Sequence, residues 1–285
     1  MSALTGLKEA LVMSKRWLLL ALLPFCVATA LAAKDRSTPP PDPTADSLMI
    51  TAGFLTHHPD MKYRLLGMDA YDKKNYEDAL RFFRRASFFA DKPSQGMVAE
   101  MLWKGEGVAR DPALAYAWMD LASERGYAGF MGLRERYWNE LNAEERQRAL
   151  SEGEAIYARF GDAAAKPRYE TQLRRGRSQI TGSRTGMTGN LQIIIPGPSG
   201  EQSIDGSKFY DERYWDPKKY WAYTDQMWAK PRIGRVEVGG VEQVDAAEPP
   251  KAESRVRQVA PEIDAVEPDV PAEPVPLPGT APSNE

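Results

Sequence analysis

The chain has 285 residues, 37 Lys and Arg against 40 Asp and Glu, and a formal net charge of −3. That balance excludes a molecule that holds nucleic acid by its overall charge. The single cysteine, Cys26, and the two histidines, His57 and His58, exclude a disulfide framework and leave little for a metal centre. The charge is nonetheless uneven. Residues 166–235 lean basic (Arg168, Arg174, Arg175, Arg177, Arg184), and residues 237–285 are acidic and proline-rich.

At the N-terminus, Lys15-Arg16 precedes an apolar run from Trp17 to Ala30, too short to span a bilayer comfortably. Ala30-Leu31-Ala32 closes it with an A-x-A pattern, so residues 1–32 read as a secretory signal peptide cut near Ala32/Ala33. Met13 gives a more compact basic start than Met1. Pro24 and Phe25 stand where a lipid anchor on Cys26 would need small residues. Cleavage would leave a chain with no cysteine, held together by packing alone.

Residues 33–58 read as a linker. Residues 33–46 (AKDRSTPPPDPTAD) are a proline-rich spacer expected to run extended, with a short helix over residues 47–58. Helical periodicity begins near Met61. Leu65, Leu66, Met68, Ala70 and Tyr71 predict a first helix, and Lys73-Lys74-Asn75 a turn. Tyr76 to Ala90 carries Ala79, Phe82, Phe83, Ala86 and Phe89 at helical spacing, and a third helix runs from Ser94 to Lys104. Gly105-Glu106-Gly107 then turns the chain. Asp111 stands at a helix N-cap and Pro112 at the first helical position, where its missing N–H costs nothing. Gly126 ends that helix. Ala128 to Trp138 forms another, and Asn142 with Glu145 three residues on predicts a capping box opening a helix from Ala143 to about Phe160.

Sliding the second helix onto the fourth places Asn75 on Asp111, Ala79 on Ala115, Phe82 on Trp118, Phe83 on Met119 and Ala86 on Ala122. The offset is about 36 residues, in the range of helix-turn-helix repeats. Small alanines recur where helices approach closely, and a large ring recurs where the gap must be filled. The stretch GEGVARDPALAYAWMDLASERG, through Gly105, Gly107, Val108, Asp111, Ala115, Trp118, Ala122 and Gly126, resembles the Sel-one-like repeat, a variant of the tetratricopeptide repeat. The preceding unit resembles a plain tetratricopeptide repeat through Gly67, Tyr71, Tyr76, Ala79, Phe82 and Ala86. The resemblance implies an all-α fold over residues 59–165, a short antiparallel α/α solenoid that binds proteins or peptides without catalysis. The charged helix 143–160 suits a capping unit.

Residues 166–235 read as a basic and aromatic segment: one more short helix, a loop, then a strand over residues 191–195 ended by Pro196-Gly-Pro-Ser-Gly. A lone strand needs a partner in this segment, a second copy or another protein. Residues 208–232 are dense in rings (Phe209, Tyr210, Tyr214, Trp215, Tyr220, Trp221, Tyr223, Trp228). They either pack the segment on the solenoid's concave face, the favoured reading, or form a platform for sugars or proteins. Residues 236–285 read as a disordered acidic tail.

No catalytic set is legible. His57, His58 and Asp60 lack a further histidine or cysteine, and adjacent histidines point apart, which favours two surface side chains. No nucleophile elbow is present, and Gly105-x-Gly107 neither follows a strand nor precedes Lys-Ser/Thr, which excludes a P-loop. No metal and no cofactor are expected. The expected function is an exported, periplasmic scaffold or adaptor that docks another envelope protein or peptide. Tyr63, Tyr71, Glu100 and Trp103 on the first helix of each hairpin, with Trp215 and Trp221, are the candidate contacts. One alternative is a peptidoglycan or carbohydrate binder using residues 208–232. Another is a β-lactam-binding envelope hydrolase, a class that shares only the repeat and is cysteine-rich. Neither nucleic-acid binding nor a membrane span surviving signal cleavage is expected.

Overall fold

The computed structural model describes residues 41–178, 191–196, 200–229 and 253–268. The expected signal peptide, with Cys26 and the expected cleavage site, lies outside the described residues. The described chain is all-α apart from one hairpin. A short helix α1 (Ser47–Thr51) precedes seven longer ones: α2 (Pro59–Asp72), α3 (Tyr76–Phe88), α4 (Lys92–Lys104), α5 (Pro112–Ala122), α6 (Ala128–Glu140), α7 (Ala143–Phe160) and α8 (Asp162–Ser178). The hairpin of β1 (Gln192–Ile195) and β2 (Gln202–Asp205) follows, then the single turns α9 (Gly206–Phe209) and α10 (Glu212–Trp215), and helix α11 (Pro217–Trp228). Among the described residues, no helix is long and apolar enough to cross a membrane.

Local chemistry accounts for most helix ends. Asp91 and Asp111 accept the backbone N–H groups of Ser94 and Leu114 at 3.1 and 3.0 Å, each ahead of a proline in the first turn. Asn142 and Glu145 form a reciprocal capping box, both bonds at 2.9 Å. Asn75 differs from the Asp111 it aligns with: it makes no cap bond and donates instead to Asp78.

Between α4 and α5, Gly105 and Gly107 take φ values of 78° and 71°. A Cβ on Gly107 would stand 2.5 Å from the Tyr76 backbone, so the loop packs onto the start of α3 through a glycine. Gly107→Ala is expected to lose about 1–3 kcal/mol, combining left-handed strain with a contact that backbone cannot yield. Urea denaturation checks this, and an unchanged midpoint would contradict it.

Consecutive helices pack on one another from α2 to α6, and α5 also packs on α7, which packs on α8. Ala79, Ala86, Ala115 and Ala122 are fully buried at these contacts, with Phe82 and Trp118 filling the gaps. One ionic knot fastens α8 to the middle of the array. Asp162 at its start pairs with Lys92 at 3.2 Å and Arg125 at 2.7 Å. Burial opposes the Asp162 charge, but these cations outweigh it and hold the carboxyl far below the usual carboxylate range.

Three regions depart from the sequence expectation, and a fourth settles a choice it left open. The basic stretch after residue 161 forms one 17-residue helix, longer than expected, because Ala165, Tyr169, Leu173 and Gly176 share a buried face, and the loop expected beyond it lies outside the described residues. The strand finds its partner within its own segment: β1 and β2 are antiparallel, with Gln192 opposite Asp205 and Ile195 opposite Gln202. The end of the proline-rich spacer is docked, not extended, since the Pro41 carbonyl accepts the hydroxyls of Tyr214 and Tyr223 at 3.2 and 3.3 Å. Within the supposedly disordered tail, residues 253–268 lie against α5–α8 and bury Val256.

Candidate functional site

The first helices of three successive hairpins enclose a groove of about 350 Å³. Arg64, Leu65 and Met68 come from α2; Pro93, Gly96, Met97 and Glu100 from α4; and Phe130 from α6. Asp42, Thr44 and Trp228 close its ends, and Phe83 forms its floor. Two glycines shape it. A Cβ at Gly67 would stand 2.6 Å from the Phe83 ring, and one at Gly96 would stand 2.7 Å from Phe130, so both rings occupy space a side chain would take. Met68, 45% exposed, presents an apolar side chain to solvent at the opening.

The polar groups of the groove differ in freedom. Arg64 pairs with Asp91, the cap of α4, and lies 5.7 Å from the Trp228 ring. Burial disfavours its charge, but Asp91 and Asp60 outweigh that and push its pKa above the ordinary arginine value. Among the described residues Glu100 pairs only with Lys104 one turn on, at 3.0 Å and half-exposed, a contact worth a few tenths of a kcal/mol. An incoming cation can take its place.

Of the residues expected to line this face, only Glu100 does so. Tyr63 is stacked on Phe82 and lies under Arg85, 3.9 Å from its ring. Tyr71 donates to Glu106 at 2.7 Å and ties α2 to the glycine loop. Trp103 stacks face to face on Tyr137 with ring centres 4.0 Å apart. Trp215 is 3% exposed, donates its indole N–H to the Phe209 carbonyl at 2.7 Å and fits against Gly176, so its ring offers no contact area to a partner. Trp221 donates to Glu170 at 3.1 Å, with Arg125 and Lys166 near its ring. The residues missed, Leu65, Met68 and Met97, recur at helical spacing with Glu100, and that spacing was the available signal. Trp228 reaches the groove only through the tertiary fold. Trp118 lines a separate depression of about 280 Å³ with Leu80, Leu114 and Ile156.

Beneath the groove lies a buried polar cluster. His58 is not a surface side chain: it is fully buried and donates from Nε2 to the Tyr214 carbonyl at 3.1 Å. Its Nδ1 has no hydrogen-bond partner. Burial, with a smaller effect of His57, lowers its pKa to about 3, so it is neutral. Asp60 accepts from the Tyr220 hydroxyl, and the Tyr169 hydroxyl faces both of them. Burial first, then the Asp91 charge, raises Asp60 to about 6. This cluster ties α11 and α8 to α2. Among the described residues, no group of three or more histidine, cysteine or acidic side chains is arranged to hold a metal ion. Comparison of the chain with protein-family models, curated proteins and solved structures gave no match.

Proposed function

We propose that this chain is a non-catalytic scaffold: a short α/α solenoid of the tetratricopeptide or Sel-one-like kind, exported to the cell envelope, that docks a segment of a partner protein. One observation carries the reading, the groove lined by α2, α4 and α6, the face on which an α/α solenoid receives its ligands. Its apolar wall and the replaceable Glu100 suit a segment with two apolar side chains and a lysine or arginine beside them. The carbohydrate reading is weaker, because Tyr214, Trp215 and Tyr220 are buried.

A photo-crosslinker at Met68 or Met97, in chain expressed with its native leader, tests the reading. The same discrete adducts are expected from both positions, and none from Arg136 or Glu140 on the exposed side of α6. Met97→Asp is expected to abolish the Met68 adducts while leaving helicity unchanged. Equal adducts from all four positions, or no effect of Met97→Asp, would refute docking in the groove.

A further inference from the structure

The tail 253–268 has no helix or strand and is mostly exposed, yet it is held along the array at many points. Its contacts divide into two kinds. Side chains of the array clamp its backbone: Arg134 donates to the Glu253 carbonyl at 3.4 Å, Arg168 to those of Ile263 and Glu262 at 3.2 and 3.1 Å, and Arg159 to that of Val266 at 2.6 Å. The Glu262 N–H reaches the Ala158 carbonyl at 2.7 Å. These bonds fix the path of the chain without reading its sequence.

The second kind reads side chains. The Ser254 hydroxyl donates to Asp120. Arg255 makes a forked pair with Glu135 and lies 4.9 Å from the Trp138 ring. Val256 enters a slot that exists only because residue 153 is glycine: a Cβ there would stand 2.8 Å from its methyl group. Farther along, Glu267 accepts two bonds from Arg85 at 2.9 and 2.7 Å.

Around Asp120 the receiving face is complete without the tail. Asp120 also accepts from Tyr157 at 3.0 Å and Tyr116 at 3.4 Å and stands 3.6 Å from Arg134; Arg134 in turn holds Glu135 at 2.9 Å. Departure of the tail would leave the Asp120 carboxylate with these three partners, and the tail contributes a single aliphatic anchor. Ordinary core segments lack that property, whereas preorganised peptide sites have it.

We infer that the face formed by α5, α6 and α7 is a peptide-binding site, distinct from the groove, and that the chain's own residues 253–268 are its detachable ligand. Its specificity is a bent hydroxyl–arginine–aliphatic core, Ser254-Arg255-Val256, in which the Val256 N–H donates to the Ser254 hydroxyl at 3.0 Å, followed by an acid that reaches Arg85. The tethered copy covers the site until an equivalent peptide displaces it.

Val256→Asp in the full chain tests this, because it places a carboxylate in the slot near Asp120. Hydrogen exchange is expected to show the Val256, Glu262 and Ala265 amides protected in the native chain and unprotected in the variant, with α5–α7 unchanged. A labelled synthetic peptide of residues 253–268 should then bind the variant saturably. It should bind the native chain at least about tenfold more weakly, since a tethered tail competes at roughly millimolar effective concentration. The same peptide carrying Val256→Asp should bind neither. If Val256→Asp disturbs helix protection, the tail double variant Ser254→Ala, Arg255→Ala carries the same comparison. An unprotected tail in the native chain, or a released chain that fails to bind the native peptide, would overturn the inference. Crosslinking in the groove is independent of either result.

Discussion

Asp60→Asn is expected to make folding stability fall on acidification between pH 6 and 4, by about 1 kcal/mol per pH unit relative to the native chain. The effect comes from two buried groups whose proton balances cancel. His58 has a folded pKa depressed to about 3 from 6.5. Its contribution is present above about 6.5 and is lost as pH falls toward 3, because the unfolded chain binds a proton that the folded chain refuses. Asp60 has a folded pKa raised to about 6 from 3.8. Its contribution is fully present below 3.8 and is lost as pH rises through 6, because only the folded chain keeps that proton.

Between 4 and 6, each state of the native chain therefore holds one proton on this pair: on the imidazole when unfolded, on the carboxyl when folded. Asparagine keeps an acceptor for Tyr220 but removes the compensating carboxyl, so the His58 loss stands uncovered. Over two pH units the difference reaches about 2 kcal/mol, well outside the error of urea titration. Parallel pH profiles for the two chains would show that the pair does not divide its protons in this way.

The pair also marks what local sequence could and could not reveal. Helix starts rest on short-range chemistry, and Asp111 with Pro112, or Asn142 with Glu145, is as visible in the sequence as in the fold. Burial of His58 is a long-range matter. The residues over and around it, Tyr214, Trp215 and Tyr220, lie more than 150 positions away. The groove failed for a different reason. Its helices were read correctly, but the face was taken from ring-bearing residues. Tyr63 lies about 140° round the helix from Met68 at 3.6 residues per turn, so both cannot point into one cleft. Large rings here mark contacts between helices, as Trp103 does on Tyr137, and the open face belongs to Leu65, Met68 and Met97. The docked tail was hidden by its composition. Proline and acid content argue against a self-supporting core, but they say nothing against a segment clamped by arginines that other elements provide.

Those arginines lead to the largest single loss expected in the molecule. Arg134 is fully buried on α6, within reach of Asp120, Glu135 and the Ser123 hydroxyl, the last at 3.2 Å. Arg134→Met keeps most of the apolar volume but leaves the fully buried Asp120 carboxylate facing only hydroxyl donors. Breaking a buried pair from one side costs about 3–5 kcal/mol, because the remaining charge has been desolvated without its counterion. The second substitution separates charge from packing. Asp120→Asn in the Arg134→Met background removes the stranded charge and keeps an acceptor for Tyr157, so more than half of the loss should return. Urea denaturation of the single and double variants makes the comparison. A single variant that loses less than about 1 kcal/mol would mean that Asp120 is not stranded without Arg134. A double variant no better than the single one would assign the cost to the missing arginine stem and its packing, not to the charge.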